Sequence, residues 1–271
     1  MLYGALIGDI VGSRFEWNNY KKTDFELFNY KCRCTDDSIM TIAVHEACKN
    51  ILKYDYNDSN AYDEFIRCMQ KWGRKFPGVG YGSSFSAWLE EKNPEPYNSW
   101  GNGSAMRVSA VGCVFDNLPD VEKYAKMSAM VSHNHEEGIK GALAVAVPVY
   151  YCYRLGFSID QKKKMIKNYI EKDLGYKLES LRKIRPKYKF DVSCQGTIPV
   201  AIECVLEGDS YEEVIRLAVS MGGDSDTIAA IAGSIAEPLF GIPYDIAEKS
   251  EKYMYPEVVR YLEENDIFAE D

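Results

Sequence analysis

Apolar residues recur at helical spacing along most of this chain, and strictly alternating, strand-like stretches are scarce. The segment Asp37 to Leu52 places Ile39, Ile42, Ala43, Ala47 and Ile51 on one face. Ala61 to Trp72 does the same with Phe65, Met69 and Trp72. Val121–Val131, Glu137–Tyr153, Ile159–Ile170, Ile198–Leu206, Tyr211–Val219, Thr227–Ile235 and Pro256–Leu262 also read as helices, and Pro148 is expected to kink the fourth of this series. No repeat, low-complexity tract or Pro/Gly/Ser-rich linker divides the chain. An all-α fold is expected, built as one compact domain over residues 1–271. With 46% hydrophobic residues a sizeable core can form without a staple.

The formal net charge is −9, from 41 acidic and 32 basic residues. Such a surface repels phosphate backbones at long range, which argues against broad nucleic-acid binding while leaving room for a small phosphorylated ligand. The apolar run Gly141–Tyr153 is bounded by Lys140 and Arg154 and is too short to cross a bilayer, so a buried helix and no membrane partner are expected. The opening Met1-Leu2-Tyr3 lacks a basic n-region, and the eight cysteines follow no framework. Both suit a cytoplasmic protein with reduced thiols.

Chemistry-bearing residues gather in loops. Gly78–Ser84, Gly101–Ala105 and Gly222–Asp226 are rich in glycine and small polar residues, which make turns and also let a backbone approach a ligand. Thr35-Asp36-Asp37 and Asp224-Ser225-Asp226-Thr227 each stand just before a helical segment. Helix capping, worth about 1 kcal/mol, accounts for either motif alone. Two such motifs, with Gly8-Asp9 and Glu16, supply a set of hard oxygen donors. If they converge, repulsion of about 4 kcal/mol per pair at about 4 Å calls for cations. Mg²⁺ or Mn²⁺ suits these donors, and no calcium loop is present. Cys32-x-Cys34 and His133-x-His135 are spaced too tightly for the usual zinc signature. No nucleophile elbow and no P-loop occur, which leaves metal-assisted hydrolysis with a carboxylate base. The basic, Tyr-rich stretch Lys162–Lys189 reads as a solvated face.

Taken together, these residues resemble the ADP-ribosylglycohydrolase family. Gly4-Ala5-Leu6-Ile7-Gly8-Asp9 through Glu16 is similar to that family's opening motif, and Thr35-Asp36-Asp37-Ser38 to its T-D-D-[TS]. Gly101-Asn102-Gly103-Ser104-Ala105-Met106-Arg107 resembles G-N-G-x-x-M-R, Ser132-His133-Asn134-His135 resembles [TS]-H-x-H, and Gly222–Thr227 resembles G-G-D-x-D-T. The motifs keep the family order from residue 4 to residue 227.

The resemblance implies an all-α fold with two Mg²⁺ ions in a central cleft. It implies Thr35, Asp36, Asp37, Asp224, Asp226 and Thr227 as metal ligands, Asp226 bridging, and Glu16 as ligand or base. Glu16, Asp36 and Asp226 are then the catalytic carboxylates. Gly101, Asn102, Gly103, Ser104, Ala105 and His133 are expected to hold the diphosphate and proximal ribose, helped by Gly80 and Gly82. The implied activity is hydrolysis at the distal ribose, releasing ADP-ribose from a modified target through a cation-like sugar transition state. Two other readings are a catalytically silent, crystallin-like member and a metal-dependent ADP-ribose pyrophosphatase. Ile10-Val11 departs from the opening motif, and Phe157–Asp191 matches none, which leaves the choice of target open.

Overall fold

Every segment with helical apolar spacing is helical in the computed structural model, which describes residues 2–265 and Ile267. The chain runs through α1 (Tyr3–Gly12), α2 (Asp36–Tyr54), α3 (Asp58–Lys75), α4 (Ser83–Glu90), α5 (Gly103–Met106), α6 (Ser109–Val114), α7 (Leu118–Met130) and α8 (Glu136–Arg154). It continues through α9 (Ile159–Asn168), a π-turn at Tyr169–Asp173, α10 (Leu181–Ile184), α11 (Cys194–Glu207), α12 (Tyr211–Val219), α13 (Ser225–Phe240), α14 (Tyr244–Glu251) and α15 (Pro256–Glu264). Among the described residues the only extended pairing is a bridge between Gly101 and Ser193. The fold is all-α.

Helix starts follow local chemistry. Asn57, Asn117, Ser193 and Ser210 each accept a backbone N–H with the side chain, and Ser158 with Gln161 forms a reciprocal capping box. Helix α8 passes through Pro148 without interruption, and α11 and α13 likewise contain Pro199 and Pro238. No helix among the described residues is long and apolar enough to cross a membrane.

All ten residues of helix α1 are buried. It lies antiparallel along α13 on a stripe of glycines four residues apart. A Cβ on Gly4 would meet the Gly233 carbonyl oxygen, one on Gly8 the Ala229 carbonyl oxygen, and one on Gly12 the Asp226 Cα at 2.5 Å. Absence of side chains thus sets the distance between the two backbones. That approach delivers Asp9 from α1 and Asp226 from α13 to the same place. The shorter helices α4, α5, α6, α10 and α14 span four to eight residues, too few to display a period.

A candidate active site

Several separate regions converge on one cavity of about 610 Å³, among them the segment before α11 with Phe190 and Val192. The others include the turn after α1 with Glu16, the start of α2, the loop before α4, the Gly101–Gly103 loop with His133, and the start of α13. Among the expected residues, Glu16, Thr35, Asp36, Asp37, Gly80, Gly82, Gly101, Asn102, Gly103, His133, Asp224, Asp226 and Thr227 all line it. Ser104 and Ala105 do not. Both are fully buried, and Ser104 Oγ donates to the Gly138 carbonyl at 2.7 Å, so they seat α5 against α8. A four-residue helix must turn one side inward, and these two residues occupy it.

The acids are crowded and dry. Asp9, Asp37, Asp224 and Asp226 are 0%, 3%, 6% and 4% exposed. Oxygens of Asp9, Asp37 and Asp226 lie within 4.8 Å of one another, and so do those of Glu16, Asp224 and Asp226. Asp226 belongs to both groups. Burial pushes each acid above its ordinary range; neighbouring carboxylates add to this for Asp36, Asp37 and Asp226, while hydrogen bonds oppose it at Asp9 and Asp224. Asp36 rises to about 8, through burial and then Asp9, and Asp37 and Asp226 rise well above normal. Burial and Asp224 also raise Glu16, against the pull of Arg33.

Hydrogen bonds divide these acids by role. Asp9 accepts from the Thr35 N–H at 2.8 Å, the Thr35 hydroxyl at 2.6 Å, the Ser38 N–H at 3.1 Å and the Ser38 hydroxyl. It is saturated, and it fixes the turn that presents Asp36 and Asp37. Asp37 Oδ2 accepts from the Thr227 hydroxyl at 3.2 Å, tying α2 to α13, while Asp37 Oδ1 is buried with no partner. A buried carboxylate oxygen without a donor is costly. That orphan and the surrounding carboxylates fit hard divalent cations, one group offering oxygens of Asp37 and Asp226 and the other those of Glu16, Asp224 and Asp226.

Asn102 is occupied differently from expectation. Its amide donates to Asp224 Oδ2 at 2.7 Å and to Thr197 Oγ1 at 3.0 Å. Its own N–H is taken by the Val192 carbonyl, and the Gly101 N–H by Ser99 Oγ. The loop therefore offers a ligand fewer N–H groups than its glycines suggest, and Asn102 orients an acid. Gly80 has φ +132°, and a Cβ there would come 2.5 Å from Asp36 Oδ1. Only glycine fits beside that carboxylate.

His133 Nδ1 lies 2.8 Å from Ser132 Oγ, which accepts a hydrogen bond from Arg107 at 2.8 Å. Burial, then the Arg107 charge, holds His133 well below its ordinary pKa, so the ring is neutral. The Ser132 hydroxyl directed at Nδ1 favours hydrogen on Nε2, the atom nearest Gly103. Arg107 is 1% exposed and lies over the Phe85 ring at 5.3 Å. Sequence reasoning assigned no role to Arg107 and counted Asp9 only as a further oxygen donor, where the structure has it bonded to Thr35 and Ser38. Both stand inside quoted motifs, which was the available signal. The zinc alternative finds no support: His135 Nδ1 caps α8 through the Glu137 N–H, and the cation-binding groups among the described residues are all carboxylate.

Known proteins give a consistent picture. The family model described as ADP-ribosylglycohydrolase matches residues 1–260. The chain is 24% identical to human ADP-ribosylhydrolase ARH3, over 99% of this chain and 90% of that protein. It is 23% identical to ADP-ribosylarginine hydrolase Tri1 of Pseudomonas putida (strain GB-1), over 96% of this chain and 75% of that one. A solved structure titled ADP-ribosylglycohydrolase-related protein complex superposes with a TM-score of 0.66 at 21% identity, over 93% of both chains.

Proposed function

The chain belongs to the ADP-ribosylglycohydrolase family and is an enzyme of that type, and from this premise we propose that it releases ADP-ribose from a modified target by Mg²⁺-dependent hydrolysis at the distal ribose. The observation that carries the reading is the buried carboxylate cluster, with Asp226 shared by two groups and Asp37 Oδ1 unpartnered. Bound divalent cations would fix the ribose hydroxyls and lower the pKa of an attacking water. Asp37, Asp224, Asp226 and Glu16 hold them, with Asp36, Thr35 and Thr227 completing the set. Mn²⁺ is the expected substitute.

The remaining work falls to the chain. Hydrolysis breaks the bond between the anomeric carbon and the target and forms one from that carbon to a water oxygen. The water loses a proton to the Glu16 carboxylate, and the departing heteroatom of the target takes up a proton, returned by Glu16 or supplied by solvent, so that the carboxylate is restored. Asp9 keeps Asp36 and Asp37 in place through its bonds to Thr35 and Ser38. Neutral His133 and the backbone at Gly80, Gly82 and Gly103 hold the diphosphate and proximal ribose, with Gly101 lining the same loop, and Asn102 steadies Asp224. A cavity of about 610 Å³ is within the range of small-molecule sites.

The test is a panel of ADP-ribosylated substrates of known linkage, incubated with Mg²⁺ or EDTA, with products identified. Intact ADP-ribose released only with the cation supports the proposal. AMP and ribose phosphate would identify a pyrophosphatase instead, and no product from any linkage would leave a silent binder.

A further inference from the structure

Two large aromatic side chains stand in solvent at the mouth of the cavity. Trp17 is 75% exposed and Phe190 is 43% exposed, both line the cavity, and their rings stack at 4.9 Å with planes 17° apart. Residues so exposed bring little to folding, yet their setting is built with care. Lys21 Nζ donates to the Tyr188 carbonyl at 2.8 Å and to the Met221 carbonyl. A Cβ on Gly222 would come 2.5 Å from Asn19 Oδ1, and one on Gly223 would come 2.9 Å from the Lys189 carbonyl oxygen. The turn after α1, the segment before α11 and the turn into α13 are therefore locked together. Trp17 and Phe190 project from the first two.

Their place fixes what they can touch. Trp17 directly follows Glu16, whose carboxylate joins Asp224 and Asp226. On the proposed hydrolysis, on which this inference rests, the reacting carbon lies at those acids. The target is bulkier than the cavity and must lie at its solvent-facing mouth. We propose that Trp17 and Phe190 form the wall against which the leaving group of the target lies, and that this wall selects a guanidinium over an aliphatic hydroxyl. An indole face attracts a planar cation, and guanidinium stacks on aromatic rings where a hydroxyl has no face to offer. Glu16 beside the wall and a formal net charge of −9 favour a cationic protein side chain over a nucleic-acid target.

The experiment measures kcat/KM on peptides carrying arginine-linked and serine-linked ADP-ribose, and Kd for free ADP-ribose, in wild type, Trp17→Ala, Trp17→Phe and Phe190→Ala. Wild type is expected to prefer the arginine linkage. The two alanine variants should lose about 3- to 30-fold in kcat/KM on that linkage, the size of a cation–aromatic contact. Their affinity for free ADP-ribose, which has no leaving group, should stay within about twofold, and Trp17→Phe should retain most activity. Equal loss on both linkages, a matching loss of ADP-ribose affinity, or a wild-type preference for the serine-linked substrate would overturn the wall. Wild type that releases ADP-ribose from no linkage would instead refute the hydrolysis on which it rests.

Discussion

Asp226 is the residue on which the site turns, because it alone belongs to both carboxylate groups. Asp226→Asn removes one charge from a cluster whose members raise each other's pKa. Without metal the variant should therefore melt higher than wild type, since repulsion falls. With excess Mg²⁺ it should gain less stability than wild type and should lose turnover. Near-wild-type turnover would end its assignment as a shared ligand. Glu16→Gln separates binding from chemistry. It keeps size while removing basicity, so turnover should fall by roughly 10²–10⁴-fold with ADP-ribose still bound. If Glu16 chiefly holds metal, added Mg²⁺ should restore part of the rate. Full activity across a Mg²⁺ titration would remove Glu16 from the mechanism.

Helix pairs decide where those residues stand. Gly8 of α1 lies on the Ala229 carbonyl of α13, so Gly8→Val must push the helices apart and should cost about 1–3 kcal/mol or more. Gly82→Ala is the matched control, since a Cβ there meets nothing within 4 Å and its φ of −57° suits any residue. Thermal melts of both variants check this, and equal shifts would contradict the close helix contact. The Gly101–Gly103 loop gives a second case. A Cβ on Gly103 would come 3.0 Å from His133 Nε2. Gly103→Val should therefore weaken ADP-ribose binding, measured by calorimetry, more than it lowers the melting temperature. Unchanged affinity would reduce the loop to a turn.

Over the whole molecule, the acidic cluster makes stability depend on pH and cation together. A carboxyl with a raised pKa keeps its proton only in the folded state between its unfolded and folded values. For Asp36 the ordinary value is 3.8 and the folded value about 8. The metal-free protein thus gains from this group at low pH and loses that gain as pH rises from about 4 to about 8. Cations compete with those protons, so the rise in melting temperature on adding Mg²⁺ should grow across the same window. At about pH 8 and about 100 times Kd the stabilisation should reach about 2.7 kcal/mol. A Mg²⁺ shift that is absent, or constant with pH, would speak against a convergent cation site.

Much of this was legible in order along the chain. The longer helices α2, α3, α7, α8, α9, α11, α12, α13 and α15 announced themselves through apolar period, because a half-buried helix must sort its residues by face. Thr35-Asp36-Asp37 and Asp224–Thr227 stood out as acids at helix starts, although sequence alone could not separate capping from convergence. Tertiary structure decided the rest. The glycines of α1 acquired meaning only against the backbone of α13. Ser104 and Ala105 sit within a ligand-loop motif yet face α8, since which side of a short helix is covered depends on its neighbours. Asn102, which lines the cavity, was also brought to Asp224, and Trp17 met Phe190 across the chain. Spacing reports which residues share an element. Only packing between elements brings distant side chains within hydrogen-bonding or stacking range, and there the site was made.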